Sequence, residues 1–291
     1  MVNHNPATST DPINSDSMSA VARRMFELVE PIGVIPYSAD EPNEAMFALG
    51  FSNYWDLYFA GRAAPLGLVP AEVVDALFYN FAPGEVARHI PKVWSTATPE
   101  LAIAARQVGC VKALRRVLGD RVDSSSFARA ADLLIKAATS APVEGRPMYA
   151  ALRALPIPDE VVARVFHASA LLREHRGDGH IAALMIAGIG GLEAHVLLAL
   201  DMDMPAEKFG RIHHLPAAQL AAVIGGMRGR GLIDPDGWLS DQGRSVKRRV
   251  EAFTDALAAK PYECLQQSEL DELIEELEPL AALLLAAQNW G

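Results

Sequence analysis

The stretch that most constrains this chain runs from Leu171 to His195, LLREHRGDGHIAALMIAGIGGLEAH. Apolar residues at helical spacing flank a short polar string, Glu174, His175, Arg176, Asp178 and His180, threaded by Gly177 and Gly179. An unpartnered polar group costs about 2 to 7 kcal/mol to bury, so side chains crowded between two apolar runs need partners, solvent or a ligand. Glycine is about 1 kcal/mol worse than alanine inside a helix. Two of them around one aspartate predict a turn or kink, or a point where something approaches the backbone closely.

The rest of the chain reads as helices. Residues 1–18 are polar and offer little to bury, which predicts a tail. From Ser19 onward Ala20, Val21, Met25, Leu28 and Val29 recur at helical spacing, and Pro31 is expected to end that helix. Phe51 to Gly67 is the most aromatic segment, followed by an amphipathic stretch from Ala71 to Phe81. Ser124 opens a further helix as its cap, with Phe127, Ala131, Leu134 and Ile135 on one face. Pro147, Pro156 and Pro158 mark the best internal boundary, dividing a helical domain at 19–158 from a second domain at 159–291.

The 291 residues suffice to bury a sizeable core. A net charge of −10 argues against chain-wide affinity for nucleic acid or anionic membrane, while leaving local patches open. No run reaches the roughly 18 apolar residues of a membrane helix, and no secretory pattern precedes the first helix. These features lead to a cytoplasmic protein with no membrane partner. Cys110 and Cys264 lie far apart and in no metal-ligand spacing.

The second half carries a winged-helix pattern. LEAHVLLAL, PAEKFGRIHH and LPAAQLAAVIGGMRGRGL read as three successive helices, the third in the recognition position. GLIDPDGWLS then reads as a β-hairpin wing turning at Asp236-Gly237, before a long helix that starts at Ser240. The last helix, SELDELIEELEPLAALLLAAQ, is acidic on one side, and its apolar end suits a partner helix.

RGLIDPDGWLSDQGR, EAFTDALA and DELIEELEPL together resemble the C-terminal half of MarR-like winged-helix proteins. APLGLVPAEVVDALFYNFAP, LLREHRGDGHIAAL and GLEAHVL extend the likeness, over about 19–285, to an actinobacterial SalK-like family. The resemblance implies an all-α, multi-helix protein with a winged helix-turn-helix element and no defined activity. It also leads one to expect a histidine in many relatives where EPIGVIPY has Gly33.

Several roles remain open on these residues. A small-molecule pocket would draw one wall from Tyr58, Arg62, Phe78, Tyr79 and Asn80, and another from Glu174, His175, Arg176, Asp178, His180 and His195. The competing reading of the aromatics is plain core. His175, Asp178 and His180 form a ligand set that suits a divalent metal such as iron or zinc, though in no established spacing. An enzyme would use the same pocket with a histidine as base or metal ligand. In the bland alternative, Arg173, Glu174, Arg176 and Asp178 form an ion-pair and capping network while the histidines hydrogen-bond to backbone.

DNA contact would fall to Gln219, Arg228, Arg230 and Lys247, but Asp234 and Asp236 in the wing and the apolar start of the third helix argue against it. The function expected is a small-molecule-binding, MarR-like regulator or accessory protein of specialised metabolism, homodimeric through its terminal helices.

Overall fold

A computed structural model of the chain describes residues 15–208 and 215–287. Its helices are α1 (Ser15–Gly33), α2 (Ile35–Ser38), α3 (Asp40–Phe47), α4 (Tyr54–Ala63), α5 (Ala71–Phe78), α6 (Pro99–Leu118) and α7 (Ser125–Ser140). They continue with α8 (Pro147–Arg153), α9 (Val161–Ile186), α10 (Gly191–Asp201), α11 (Ala217–Gly229), α12 (Asp241–Ala258) and α13 (Gln267–Ala287). Side chains of Asn53, Thr98, Ser124, Glu160 and Ser240 each accept a first-turn N–H and so open α4, α6, α7, α9 and α12. Pro31 does not end α1, which continues to Gly33.

The helix α9 is the axis of the molecule. Its 26 residues run unbroken through Gly177 and Gly179, where a kink was expected. α1, α6, α7, α8 and α12 all pack on it, so it is buried on nearly every side. Met25, Leu114, Leu134, Leu171, Leu273 and Leu280 belong to one apolar cluster built from α1, α6, α7, α9 and α13, and the chain crosses Pro158 without leaving it. Burying side chains of this size stabilises the fold by about 1.5 to 3 kcal/mol each.

A second cluster is aromatic. Phe59, Phe78 and Phe81 pack with Val86, Ile90 and Val93, so most of the aromatic segment is core. α3 lies directly on α6 because Gly109 has no side chain; a Cβ there would stand 2.4 Å from the Pro42 Cα.

The third cluster joins Ala183 and Leu197 to Leu220, Met227, Leu232, Leu239 and Val250, and is the core of the second half. The expected middle helix over 205–214 is described only as a 3₁₀ turn at Ala206–Lys208, and 209–214 lie outside the described residues. The β-hairpin wing is also corrected: no strands form among the described residues, and one antiparallel bridge pairs Ile233 with Leu239. The reason is length. α11 ends at Gly229 and Ser240 already caps α12, while the turn closes through Asp234, whose N–H donates to the Trp238 carbonyl.

α13 lays Leu270, Leu273, Leu277, Leu280 and Leu284 into the main cluster of its own chain. Leu283 and Leu285, at the apolar end expected to meet a partner helix, stay exposed. Among the described residues, no single helix is long and apolar enough to cross a membrane.

Candidate functional site

The polar string lies along α9, and a helix turns about 100° per residue. Successive side chains therefore face different neighbours. Glu174 faces Arg62 of α4, at 3.6 Å, and is bonded by Arg173 at 3.0 Å. His175 meets the Tyr149 ring edge-on. Arg176 binds Asp255 at 2.6 Å and Glu251 at 3.2 Å, both on α12, and covers the Phe26 ring.

Asp178 turns to α8, where it accepts the Tyr149 N–H at 3.0 Å and the Met148 N–H at 3.4 Å, a carboxylate at a helix N-terminus. Gly179 makes room for Arg146, whose guanidinium donates to the His175 carbonyl. His180 pairs with Thr254 at 2.9 Å. The Thr254 hydroxyl gives its proton to the Val250 carbonyl, so the His180 Nδ1 must carry the proton of this contact.

His175, Asp178 and His180 thus do not converge, and among the described residues no group of three or more His, Cys, Asp or Glu could hold a metal. The expected metal triad is corrected on this geometry, and the catalytic reading of the two histidines loses its common site. The electrostatics agree with separate roles. Burial, then the nearby Arg146 charge, pushes His175 down to about 3, and burial lowers His180. Burial pushes Asp178 up to about 6 against the pull of the Tyr149 amide.

A different constellation gathers at the other side of α9. Arg62 donates to the Tyr58 hydroxyl at 3.1 Å and lies 4.1 Å from the centroid of Phe78. Arg173 reaches both Glu174 and Glu30, the latter at 3.0 Å. Arg106 donates to the Gly61 carbonyl at 3.0 Å and to the Tyr37 hydroxyl at 3.3 Å, and its charge also acts on Glu174. Burial opposes the Glu174 charge, but Arg62, Arg173 and Arg106 outweigh it and hold the carboxyl below its usual range. Where a histidine was expected, Gly33 leaves space that the Arg173 side chain fills; a Cβ there would stand 2.8 Å from its Cδ.

Of the predicted pocket residues, the structure brings together Tyr58, Arg62, Phe78 and Glu174. Arg176, Asp178 and His180 face α12 and α8 instead, and His175 lies against Tyr149. Tyr79 bonds the Ile189 carbonyl at 2.6 Å and packs with the third cluster; Asn80 follows it, and His195 is buried on α10. Sequence reasoning missed Arg106 and Tyr37, while Arg173 was expected only in an ion-pair network with Glu174, the pair found here at 3.0 Å. Arg106 did carry a signal, as a lone charge in the apolar string LAIAARQVGCV. It also missed a buried cluster in which His89 sits between Asp56, at 2.7 Å, and Glu85, at 3.4 Å.

In the second half, α10, α11 and α12 surround one small core, with α11 anchored in it only through one side. A family model described as a helix-turn-helix family matches residues 22–290. The chain belongs to this helix-turn-helix family. No curated protein and no solved structure matches it. Gln219 and Arg228 are exposed on α11. Arg230 is tied back to Glu193 at 3.0 Å and to the Gly188 carbonyl at 2.9 Å. Lys247 is held between Asp201 at 3.2 Å and Glu251 at 2.8 Å.

Proposed function

We propose that this protein is a ligand-responsive DNA-binding regulator. The observation that carries the reading is α11: Ala217, Ala218, Gln219, Ala221, Ala222 and Arg228 are exposed on a helix whose opposite side, through Leu220 and Met227, is anchored in the third cluster. Small residues let a helix approach the floor of a major groove, and Gln219 supplies an amide that can pair with an adenine edge. Arg228, with Arg244 and Arg248 one turn apart on α12, supplies exposed charge for phosphates.

The coupling runs through α9. One rigid helix carries Glu174 in the arginine cluster and Arg176 and His180 against α12, so a ligand that alters the first set bears on the second. Family membership supports DNA contact; the ligand, MarR-like behaviour and pairing of subunits are this proposal's own content.

The test is selection of duplexes from a random pool, followed by affinity measurement on the winners. The reading expects an enriched motif, with Gln219→Ala relaxing preference at one base position by about 1 to 3 kcal/mol. Unchanged pool composition after repeated rounds would sink it.

A further inference from the structure

Two adjacent glycines stand in the middle of α11 without a packing reason. Elsewhere in the chain a methyl would collide: a Cβ at Gly191 would strike the Tyr79 carbonyl, and one at Gly243 the Leu232 carbonyl. A Cβ at Gly225 or Gly226 would meet no atom of the described residues within 4 Å, and both positions are exposed. Neither has a positive φ, so alanine would take both places without strain. Inside a helix, each glycine disfavours the helical state by about fivefold relative to alanine.

The two sides of this pair are held unequally. On the C-terminal side Met227 is fully buried, and the Leu232 and Gly231 N–H groups close the helix by donating to the Met227 and Arg228 carbonyls, both at 2.9 Å. Arg230 then ties this end to Glu193 and to the Gly188 carbonyl. On the N-terminal side Pro216 makes no side-chain cap bond, unlike Glu160 on α9 and Ser240 on α12. Over residues 217–224 Leu220 is buried and Val223 and Ile224 are half-buried, while Ala217, Ala218, Gln219, Ala221 and Ala222 are exposed.

We infer that Gly225 and Gly226 form a hinge in α11, about which residues 217–224, with Gln219, open away from the third cluster while Met227 and the end of the helix stay in place. Helices bend where a pair of small residues leaves the backbone unrestrained, and a segment with few buried contacts opens well before the fold as a whole. The hinge sets the angle at which Gln219 is presented, and closing it orders the exposed face of α11. The inference concerns the positioning of the helix that the regulator reading places on a duplex and rests on that reading for its biological meaning, but the motion itself requires no DNA.

The experiment is amide hydrogen exchange of the full chain, without DNA, resolved to single residues and corrected for intrinsic rates. Protection at residues 221–224 should lie about a hundredfold below that of the α12 interior, and about tenfold or more below that of Leu232, whose N–H closes the same helix. Replacing both glycines, Gly225→Ala with Gly226→Ala, should raise protection at 221–224 by about tenfold or more. Gly177→Ala, on α9, should leave those amides unchanged. If the double variant does not fold, the comparison with Leu232 in the unaltered chain decides. Equal protection at 221–224 and Leu232, or a folded double variant in which 221–224 exchange as before, overturns the inference. Duplex selection is a separate readout: a hinge without an enriched duplex would overturn the regulator and leave the hinge, and an enriched duplex with an evenly protected α11 would do the reverse.

Discussion

Arg176 and Asp178 sit two residues apart on the same helix and answer to opposite electrostatics. Arg176 is buried against two carboxylates, and its removal leaves Glu251 and Asp255 to Arg23 and Lys247 alone. Stripping one partner from a buried ion pair costs about 3 to 5 kcal/mol when nothing replaces it. With two cations remaining, Arg176→Met should cost about 2 to 4 kcal/mol, read from urea unfolding. Asp178 is held up at about 6, above its ordinary 3.8, so the folded chain binds this proton more tightly than the unfolded chain. Its contribution to stability is full below about pH 4 and is lost as pH rises toward 6. Glu251 runs the other way. Burial opposes its charge, but bonds from Lys247 and Arg23 hold it near 2 against an ordinary 4.5, so its contribution is present above 4.5 and lost as pH falls toward 2. Unfolding midpoints followed against pH should therefore lose their decline between about 4 and 6 in Asp178→Asn, and part of their acid decline in Glu251→Gln.

At the scale of the element, α9 makes a prediction from its two glycines. A Cβ at Gly177 would meet only the Glu174 Oε2, at 3.6 Å, an ordinary contact. Gly177→Ala should stabilise the protein by up to about 1 kcal/mol through helix propensity. At Gly179 the same methyl would strike the Arg146 guanidinium, which ties α9 to the Leu257 carbonyl of α12 at 2.7 Å. Gly179→Ala should destabilise despite its better propensity, and thermal unfolding of the two variants side by side checks the opposite signs. This pair also shows what was legible in the sequence. The periodicity of apolar residues gave away α9, α7 and α12, and Ser124 and Ser240 marked their starts. Glycine spacing read locally left open a break at 177–179 or a close approach to the backbone; α9 does not break, and the close approach is made at Gly179 by Arg146, distant in sequence and brought there by α8. The polar string could be seen to need partners, but which partner each side chain finds depends on helices packed from five directions. Arg62, Tyr58 and Glu174 were therefore named correctly as neighbours, while the metal triad was not. The wing failed for a related reason: its turn residues are right for a hairpin, but the caps of α11 and α12 leave length for only one bridge.

The molecule as a whole runs one central helix, α9, from the buried arginine cluster to α12. Its net charge of −10 means that any duplex contact must come from a local surface, formed by Arg228, Arg244 and Arg248 beside the small face of α11. Each phosphate neutralised releases counterions and adds about 0.9 to the salt dependence of binding. The measurement that tests this most directly is the affinity of the selected duplex at a series of salt concentrations, for the unaltered protein and for Arg228→Gln. The account predicts a log–log slope of about −3 that falls to about −2 in the variant, with weakening shared across sequences. Superimposable curves for the two proteins, or a slope near zero, would contradict it.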